Sequence, residues 1–371
     1  MKHNKSMKKE TIYKILFFYF PFLILISISL VLMYHAKFIT DIFANHFERQ
    51  ILWFTIGFII LFVSHFLPLE KLFKYSFIFY IINIILLILV LFIGESTNGA
   101  KAWLSLKYFS FQPSEFMKLS YTLFLAHYLA KKKPKKWYQE LWLLFKVFIL
   151  FLIPSLLIFL EPDTGAILFL AIITIVSLFF SNIRKRWLII LSILILAIGG
   201  IFTYFYLFKK EVLLALLGSS IFYRIDRLLS IGNGMQIENA LIAIGSAPFF
   251  RFNLTEVGIY IPEAPTDFAF SLCANVFGIS GELIIILCFF ILDSYLHSYS
   301  QKTIKKEQKI FATSFLCCLI VNEFINISMN IGLFPIIGIP LPFVSYGGSS
   351  TIVSFLYLAF IFSFKRKKLK N

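Results

Sequence analysis

Long apolar runs, separated by short polar segments, make up most of this chain. An apolar run of about 20 residues spans the hydrocarbon core of a bilayer. Backbone groups in lipid must be hydrogen-bonded within the protein, so such runs form helices or closed barrels, and the alternating pattern of barrel strands is not seen. The pattern predicts an all-α polytopic membrane protein with about ten transmembrane helices, at roughly residues 15–34, 51–67, 75–93, 114–130, 141–160, 166–180, 187–207, 268–292, 311–329 and 351–364.

Composition and charge placement set the orientation of these helices. The chain is 59% hydrophobic with a mean hydropathy of +0.86, so we expect one membrane domain over residues 1–371 and no soluble domain. With the N-terminus in the cytoplasm, the cytoplasmic segments carry 24 Lys and Arg and the outer segments carry 9. This is the positive-inside pattern, which places both termini in the cytoplasm. The net charge of +16 therefore reflects basic cytoplasmic segments and does not indicate binding to nucleic acid. Basic runs such as 131–133 and 365–368 attract anionic lipid head groups.

Two outer segments are long enough to build a site. The loop 208–267 joins helices 7 and 8 and contains an apolar stretch, 212–217, that we expect to form a helix at the membrane interface, and an amphipathic stretch, 236–244. Loops of this length in a compact domain are more often functional than not. Segment 330–350 is uncharged and rich in Gly and Pro. Irregular backbone at membrane depth lines a cavity or is buried in protein, so this segment predicts a re-entrant or broken helix that lines a cavity, with a plain external loop as the alternative.

Asp267 stands where the outer loop re-enters the membrane, directly before an apolar helix. Two interpretations are open. Thr266 or Asp267 caps that helix, since a carboxylate is favourable at a helix N-terminus. Alternatively, Asp267 is a general base in a half-buried cleft, where desolvation raises the pKa of a carboxylate towards neutrality. The two roles can coexist, but a cap contact would lower that pKa and oppose the role as a base.

Further ionisable residues lie near the same face. Glu115 and Lys118 share one face at the start of the fourth helix, which Ser114 is placed to cap. Ionisable groups in a membrane span are functional by default, and a lysine here suits an anionic ligand such as a pyrophosphate. The alternative is a local ion pair that ties the loop to the bundle.

Carboxylates and arginines in the outer loops form a second group. Glu161 and Asp163 lie in a hairpin whose Pro, Asp, Thr and Gly residues are typical of a turn, yet the two carboxylates are also candidates for holding Mg or Mn. Arginine suits phosphate, and solvated loop positions are an equal alternative. The arginines on this face are Arg49, Arg224 and Arg227.

Other chemistries find no support in the sequence. The four cysteines fall inside apolar segments without metal-ligand spacing and are interpreted as small buried hydrophobic residues. No phosphate-binding glycine loop, zinc motif or serine nucleophile elbow is present. We expect no organic cofactor and no ATP-driven reaction.

With these residues in view, the chain resembles the SEDS family of bacterial membrane proteins, which includes RodA, FtsW and SpoVE. The resemblance runs from Arg49-Gln50 to Ser350, and five phrases occur in the family's order. They are Asn98–Trp103, Gln112–Glu115 with Lys118, Pro262–Ala264, Thr266–Phe268 and Gly338–Ser349.

The resemblance implies a peptidoglycan glycosyltransferase of the bacterial plasma membrane, acting in elongation, division or sporulation. Such an enzyme polymerises lipid II at the outer face and works with a class B penicillin-binding protein. Asp267 would be the base that deprotonates the acceptor 4-hydroxyl, which attacks the anomeric carbon with inversion. The resemblance also matches Arg49, Lys118 and Arg227 to basic positions of the family and Trp103, Glu115 and Asp163 to positions in its cavity region, which implies a substrate-binding or a structural role for these six residues.

Two phrases differ from the family pattern. The glycine-rich phrase of the outer loop is replaced by residues 245–252, which retain only the first Gly-Ser, and the loop 245–258 must therefore fold differently. The glutamate pair that follows the aspartate is replaced by Ala274–Gly278, although Glu282 lies further on. A flippase of lipid-linked precursors and a non-catalytic scaffold for a penicillin-binding protein are the alternative functions.

Overall fold

The structure, a computed structural model, describes residues 14–97, 100–106, 109–229 and 234–364. Within them the chain is a bundle of α-helices with one small sheet. The all-α polytopic prediction is confirmed. The α-helices before the sheet are α1 (Phe20–Ala36), α2 (His46–Ser64) and α3 (Ser76–Ile93), and those after it are α4 (Pro113–Lys131), α5 (Trp137–Leu160), α6 (Thr164–Phe179), α7 (Lys185–Phe208), α8 (Lys210–Leu229), α9 (Met235–Gly245), α10 (Ala269–Phe277), α11 (Ile279–Gln301), α12 (Lys306–Asn330) and α13 (Gly348–Ser363).

The ten predicted spans all overlap helices, and one of them, 268–292, is divided between α10 and α11. Seven of them match helices long and apolar enough to cross a membrane. Two match the shorter apolar helices α6 and α13, and one matches α4, whose first turns carry Glu115 and Lys118.

Helices α4 and α12 form the centre of the bundle. Helix α4 packs against α3, α6, α12 and α13, and α12 also packs against α6 and α11. Many of their residues are fully buried, including Tyr121 and Phe311. Helix α7 is the opposite case, since none of its residues is buried and it packs mainly against α8 and α6. Beyond Lys185 and Arg186 at its start, its residues are predominantly apolar on every face, as expected for a helix whose surroundings are lipid.

The predicted continuous helix 268–292 is wrong. The chain breaks at Gly278, whose φ of 70° is favourable only for glycine. Residues 248–253 dock against this break, and the amides of Ile279 and Ser280 donate to the carbonyls of Pro248 and Phe249. A Cβ atom at residue 278 would lie 2.3 Å from the Pro248 carbonyl oxygen, so no side chain fits there. The loop that differs from the family pattern thus satisfies the free amides at the start of α11.

A three-stranded antiparallel sheet joins α3 to α4, and the sequence analysis did not predict it. Its strands are β1 (Glu95–Thr97), β2 (Ala100–Leu106) and β3 (Phe109–Phe111). Glu95 pairs with Trp103 across β1 and β2. The sheet contacts α3 and α4 at the end of the bundle where α4 begins. It thereby brings Trp103 to the same end as Glu115 and Lys118.

The remaining outer segments behave partly as predicted. The stretch 212–217 is helical, in α8, which continues past a kink at Gly218, and the stretch 236–244 is α9. Segment 331–347 lines a cavity, as predicted, but its described backbone consists of turns and extended residues and not of a broken helix. Asn98, Gly99 and the basic run 365–368 lie outside the described residues.

Candidate functional site

One cavity of about 970 Å³ gathers most of the predicted site residues. It opens among the N-terminal ends of α2, α4 and α6, strand β2, and the segments that precede α10 and α13. Its size matches that of sites for small organic ligands. The predicted residues that line it are Arg49, Trp103, Glu115, Lys118, Asp163 and Asp267.

Asp267 lies in the turn that leads into α10, and its carboxylate is free of hydrogen bonds to the residues that the structure describes. The N-terminal cap of α10 is Phe268, without a side-chain cap bond. The prediction that Thr266 or Asp267 caps this helix is therefore wrong. The hydroxyl of Thr266 instead donates a hydrogen bond to Glu263 Oε2 at 3.0 Å.

Burial, the larger cause, and the neighbouring Glu263 carboxylate together raise the pKa of Asp267 to about 7. Desolvation disfavours the charged form, and a like charge adds to the effect. A carboxyl group with a pKa near neutrality is half ionised at physiological pH. At such a pKa a general base is ionised in a large fraction of the molecules and still has a high affinity for the proton it must accept.

Glu115 and Lys118 face each other at the entrance to α4. The Lys118 Nζ donates to Glu115 Oε1 at 2.7 Å, and both side chains are only slightly exposed. The ammonium group also lies 4.8 Å from the centroid of the Phe169 ring, a cation–π distance. Glu115 and Lys118 therefore form the local ion pair that the sequence allowed, and the Lys118 ammonium group faces the cavity.

Asp163 connects the beginnings of α4 and α6. Its Oδ2 accepts hydrogen bonds from Ser114 Oγ at 2.7 Å and Gln112 Nε2 at 3.0 Å, and its Oδ1 accepts from the Ala166 amide at 3.1 Å. Asp163 thus caps α6 while holding the residues that precede Glu115. The prediction that Ser114 caps α4 is wrong, because its hydroxyl donates to Asp163 and the cap position belongs to Gln112.

Glu161 lies behind this network and does not line the cavity. Its side chain is fully buried, and neither carboxyl oxygen has a hydrogen-bond partner among the described residues. Burial, together with the charge of Asp163, raises the pKa of Glu161 to about 8. Within the described part of the chain, no group of three or more His, Cys, Asp or Glu residues is placed to hold a metal ion.

Arg49 is exposed at the first turn of α2 and lines the cavity. It forms no salt bridge with another described residue, so its guanidinium is available to an anion. Arg224 and Arg227 belong to α8, but their side chains lie outside the described residues.

The cavity also includes residues that the sequence analysis missed. His46 lies one turn before Arg49 on α2, and its ring centroid is 4.0 Å from that of Tyr346. The i,i+3 spacing from Arg49 was the available signal. Three non-glycine residues of the cavity wall, Pro162, Glu263 and Phe343, have positive φ angles of 32°, 55° and 62°. Strained backbone of this kind clusters at functional sites.

Comparison with known proteins adds independent findings. The model of the FtsW/RodA/SpoVE family, described as cell cycle proteins, matches residues 11–370. A relative in Wigglesworthia glossinidia brevipalpis, named "Probable peptidoglycan glycosyltransferase FtsW", is 32% identical over 97% of this chain and 95% of its own length. The peptidoglycan glycosyltransferase MrdB of Helicobacter pylori is 31% identical over 90% of this chain and 85% of its own length.

Solved structures show the same fold. A chain of a peptidoglycan synthase complex that coordinates polymerization and crosslinking superposes with a TM-score of 0.72, at 24% identity, over 92% of this chain and 95% of that chain. The rod shape determining protein RodA of Thermus thermophilus superposes with a TM-score of 0.65, at 24% identity, over 92% and 94%.

Proposed function

The chain belongs to the FtsW/RodA/SpoVE family of cell cycle proteins, and from this premise we propose that its cavity polymerises lipid II into peptidoglycan glycan strands. Relatives that are 31% to 34% identical over most of the chain are named peptidoglycan glycosyltransferases. The chain is accordingly a membrane glycosyltransferase of peptidoglycan synthesis. Lipid II as the sugar donor, Asp267 as the base and the outer side of the membrane as the site of the reaction are part of the proposal.

The observation that carries the mechanism is the state of Asp267. Its carboxylate faces a cavity, has no hydrogen bond to a described residue and has a pKa of about 7. In the proposed reaction it takes the proton of the acceptor sugar's 4-hydroxyl. That oxygen forms the new bond to the anomeric carbon of the donor with inversion, while the bond from this carbon to the pyrophosphate breaks and the pyrophosphate leaves with the electron pair.

The cationic residues of the cavity support the departure of the pyrophosphate. Lys118 and Arg49 both line the cavity, and Arg49 has no carboxylate partner among the described residues. Fixed positive charge in a water-poor site stabilises developing negative charge. The donor is already activated by its pyrophosphate, so neither a covalent nucleophile nor ATP is required.

A divalent cation remains a proposal for this site. Mg²⁺ is commonly bound by one or two carboxylates together with substrate phosphates. Asp163 faces the cavity and retains acceptor capacity beyond its three hydrogen bonds, whereas the Glu161 side chain does not line the cavity. Asp163 would thus be the protein's ligand, and the cation would help to neutralise the pyrophosphate.

We further propose that the cavity opens at the outer face of the bacterial plasma membrane and that a class B penicillin-binding protein is the partner. The placement of Lys and Arg supports the first point, since the cavity end of the bundle is the end poorer in basic residues. The peptidoglycan synthase complex among the structural neighbours supports the second. Elongation, division and sporulation remain open as the cellular process.

The test is polymerisation of lipid II by purified protein in detergent, with and without the partner. We expect wild type and Asp41→Asn to make glycan strands, since Asp41 is an exposed carboxylate that does not line the cavity. Asp267→Ala and Asp267→Asn should fold and make no polymer. A flippase would make none in any variant, and polymer from Asp267→Ala would exclude Asp267 as the base.

A further inference from the structure

Two buried asparagines of α12 hold the backbone of Asp267. Asn326 Nδ2 donates to the carbonyl oxygen of Asp267 at 2.9 Å and to that of Ile339 at 2.7 Å. Asn330 Nδ2 donates to the same Asp267 carbonyl at 3.1 Å. Both asparagine side chains are completely buried. Asp267 and the cavity segment that contains Ile339 are thereby fixed to one central helix.

The side-chain oxygen of Asn330 accepts hydrogen bonds from the first turn of α10. Its Oδ1 accepts from the amide nitrogen of Ser271 at 3.0 Å and from its hydroxyl at 2.6 Å. The Ser271 amide belongs to the first turn of α10, where backbone N–H groups have no partner within the helix. A side chain at the cap position usually supplies the acceptor, but Phe268 occupies that position. Asn330 therefore caps α10 from a different helix.

Without Asn330, the Ser271 amide would lose its acceptor, and Asp267, four residues earlier, carries the nearest carboxylate along the chain. Aspartate side chains readily hydrogen-bond to nearby backbone N–H groups, as they do at helix caps. Such a bond would turn the carboxylate towards α10 and stabilise its ionised form. In the structure the carboxylate makes no bond to a described residue and faces the cavity.

We propose that Asn330 is a positioning residue for glycosyl transfer, which caps α10 from α12 and so leaves the Asp267 carboxylate free to face the acceptor sugar. This inference rests on the proposed role of Asp267 as the base. It assigns a function to an amide that the sequence alone presents as a polar residue within an apolar span.

Asn330→Leu and Asn330→Ala add and remove no charged group around Asp267, so a change in the titration of Asp267 reports on the cap. Glu263 lies in the same turn. The titratable groups that line the cavity on the surrounding elements are His46 and Arg49 of α2, Glu95 of β1, Glu115 and Lys118 of α4, Asp163 before α6, Cys318 of α12, Tyr346 before α13 and Tyr357 of α13.

The first measurement is the pH dependence of polymerisation in Asn330→Leu. We expect kcat to fall about 10- to 100-fold, as for a misplaced catalytic group, while KM stays close to the wild-type value. The acidic limb of the profile should move to lower pH. Thr313→Val is the control, because it removes a different buried polar group, a hydroxyl, from α12 without touching α10. An unchanged acidic limb in Asn330→Leu would overturn the proposal.

The second measurement does not depend on activity. A carbodiimide modifies carboxyl groups in their protonated form, so mass spectrometry of Asp267 against pH gives its titration midpoint. We expect the midpoint to fall in Asn330→Leu, and in Asn330→Ala should the leucine variant not insert. Asn330→Asp keeps an acceptor for Ser271, and its midpoint should be no lower than in wild type. Equal midpoints in all variants would refute the proposal. Polymer from Asp267→Ala would refute only the role of Asp267 as base.

Discussion

Gly338 lies next to the carboxylate of Asp267 in the lining of the cavity. A Cβ atom at residue 338 would lie 3.6 Å from Asp267 Oδ2, in ordinary van der Waals contact. Gly338 also has a φ of 73°, a conformation that costs other residues about 1–2 kcal/mol. Both its conformation and the absence of a side chain therefore contribute to the space in front of the base.

Gly338→Ala should lower polymerisation more than it lowers stability. The methyl group would occupy space needed by the acceptor hydroxyl, while the strain alone costs about 1–2 kcal/mol. The measurements are kcat/KM for lipid II and thermal unfolding in detergent. Gly218→Ala is the matched control, since Gly218 has a φ of 76° with no neighbour within 4 Å of its Cβ position. Equal activity losses in both variants would show that strain alone is responsible.

The pKa of Asp267 predicts a pH-dependent rate. Because the base must be ionised, kcat/KM should rise about tenfold per pH unit below pH 7 and level off above it. Initial rates between pH 5 and pH 9 in wild type and Asp41→Asn provide the measurement. A profile that is flat across pH 7 in both proteins would contradict the assignment of Asp267 as the base.

The same carboxyl group should also affect stability. Its pKa is raised from 3.8 in the unfolded chain to about 7 in the folded protein. Between these values only the folded state retains the proton, so wild-type stability falls as pH rises from about 4 to about 7. Asp267→Asn lacks this loss, and its advantage in melting temperature over wild type should grow across that range and then stay constant. An advantage that shrinks with pH would contradict the raised pKa.

The sequence predicted the helices well and the connections between them poorly. Apolar runs identify spans because lipid requires them, and the stretch 236–244 was identified by its amphipathic pattern. The break at Gly278 was missed, since a single glycine in an apolar run does not show that residues 248–253 dock against it. The sheet 95–111 was missed because its strands are short and their pairing depends on the surrounding helices.

Within the site, the sequence indicated residue types but not their hydrogen bonds. Asp267 read equally well as a cap or as a base, and only the tertiary contact from Asn330 to Ser271 decides between them. Asp163 read as a turn residue or a metal ligand. Its three donors come from residues 112, 114 and 166, and the approach of the first two is a property of the fold.

Lys118 and Glu115 should respond differently to substitution. Loss of a charged hydrogen bond to the pyrophosphate costs about 1.5–3 kcal/mol, so Lys118→Met should lower kcat/KM about 10- to 150-fold. Glu115→Gln releases the Lys118 ammonium from its 2.7 Å ion pair and leaves it against the Phe169 ring. We therefore expect KM for lipid II to be no higher than in wild type. Equal losses in both variants would indicate that the ion pair serves only the structure.

Asp163 accepts three hydrogen bonds from other residues of the chain, so its substitution should lower stability even when no substrate is bound. Asp163→Ala leaves the Ala166 amide, the Ser114 hydroxyl and the Gln112 amide without their acceptor, at about 1–3 kcal/mol for each buried group that finds no other partner. Ser114→Ala removes one of the three bonds, so its melting temperature should fall between those of wild type and Asp163→Ala. Thermal unfolding of both variants without substrate isolates this effect from catalysis. Were Asp163→Ala to melt like wild type while making no polymer, Asp163 would act on the substrate or its cation alone, and the connection between α4 and α6 would have to be maintained by other contacts.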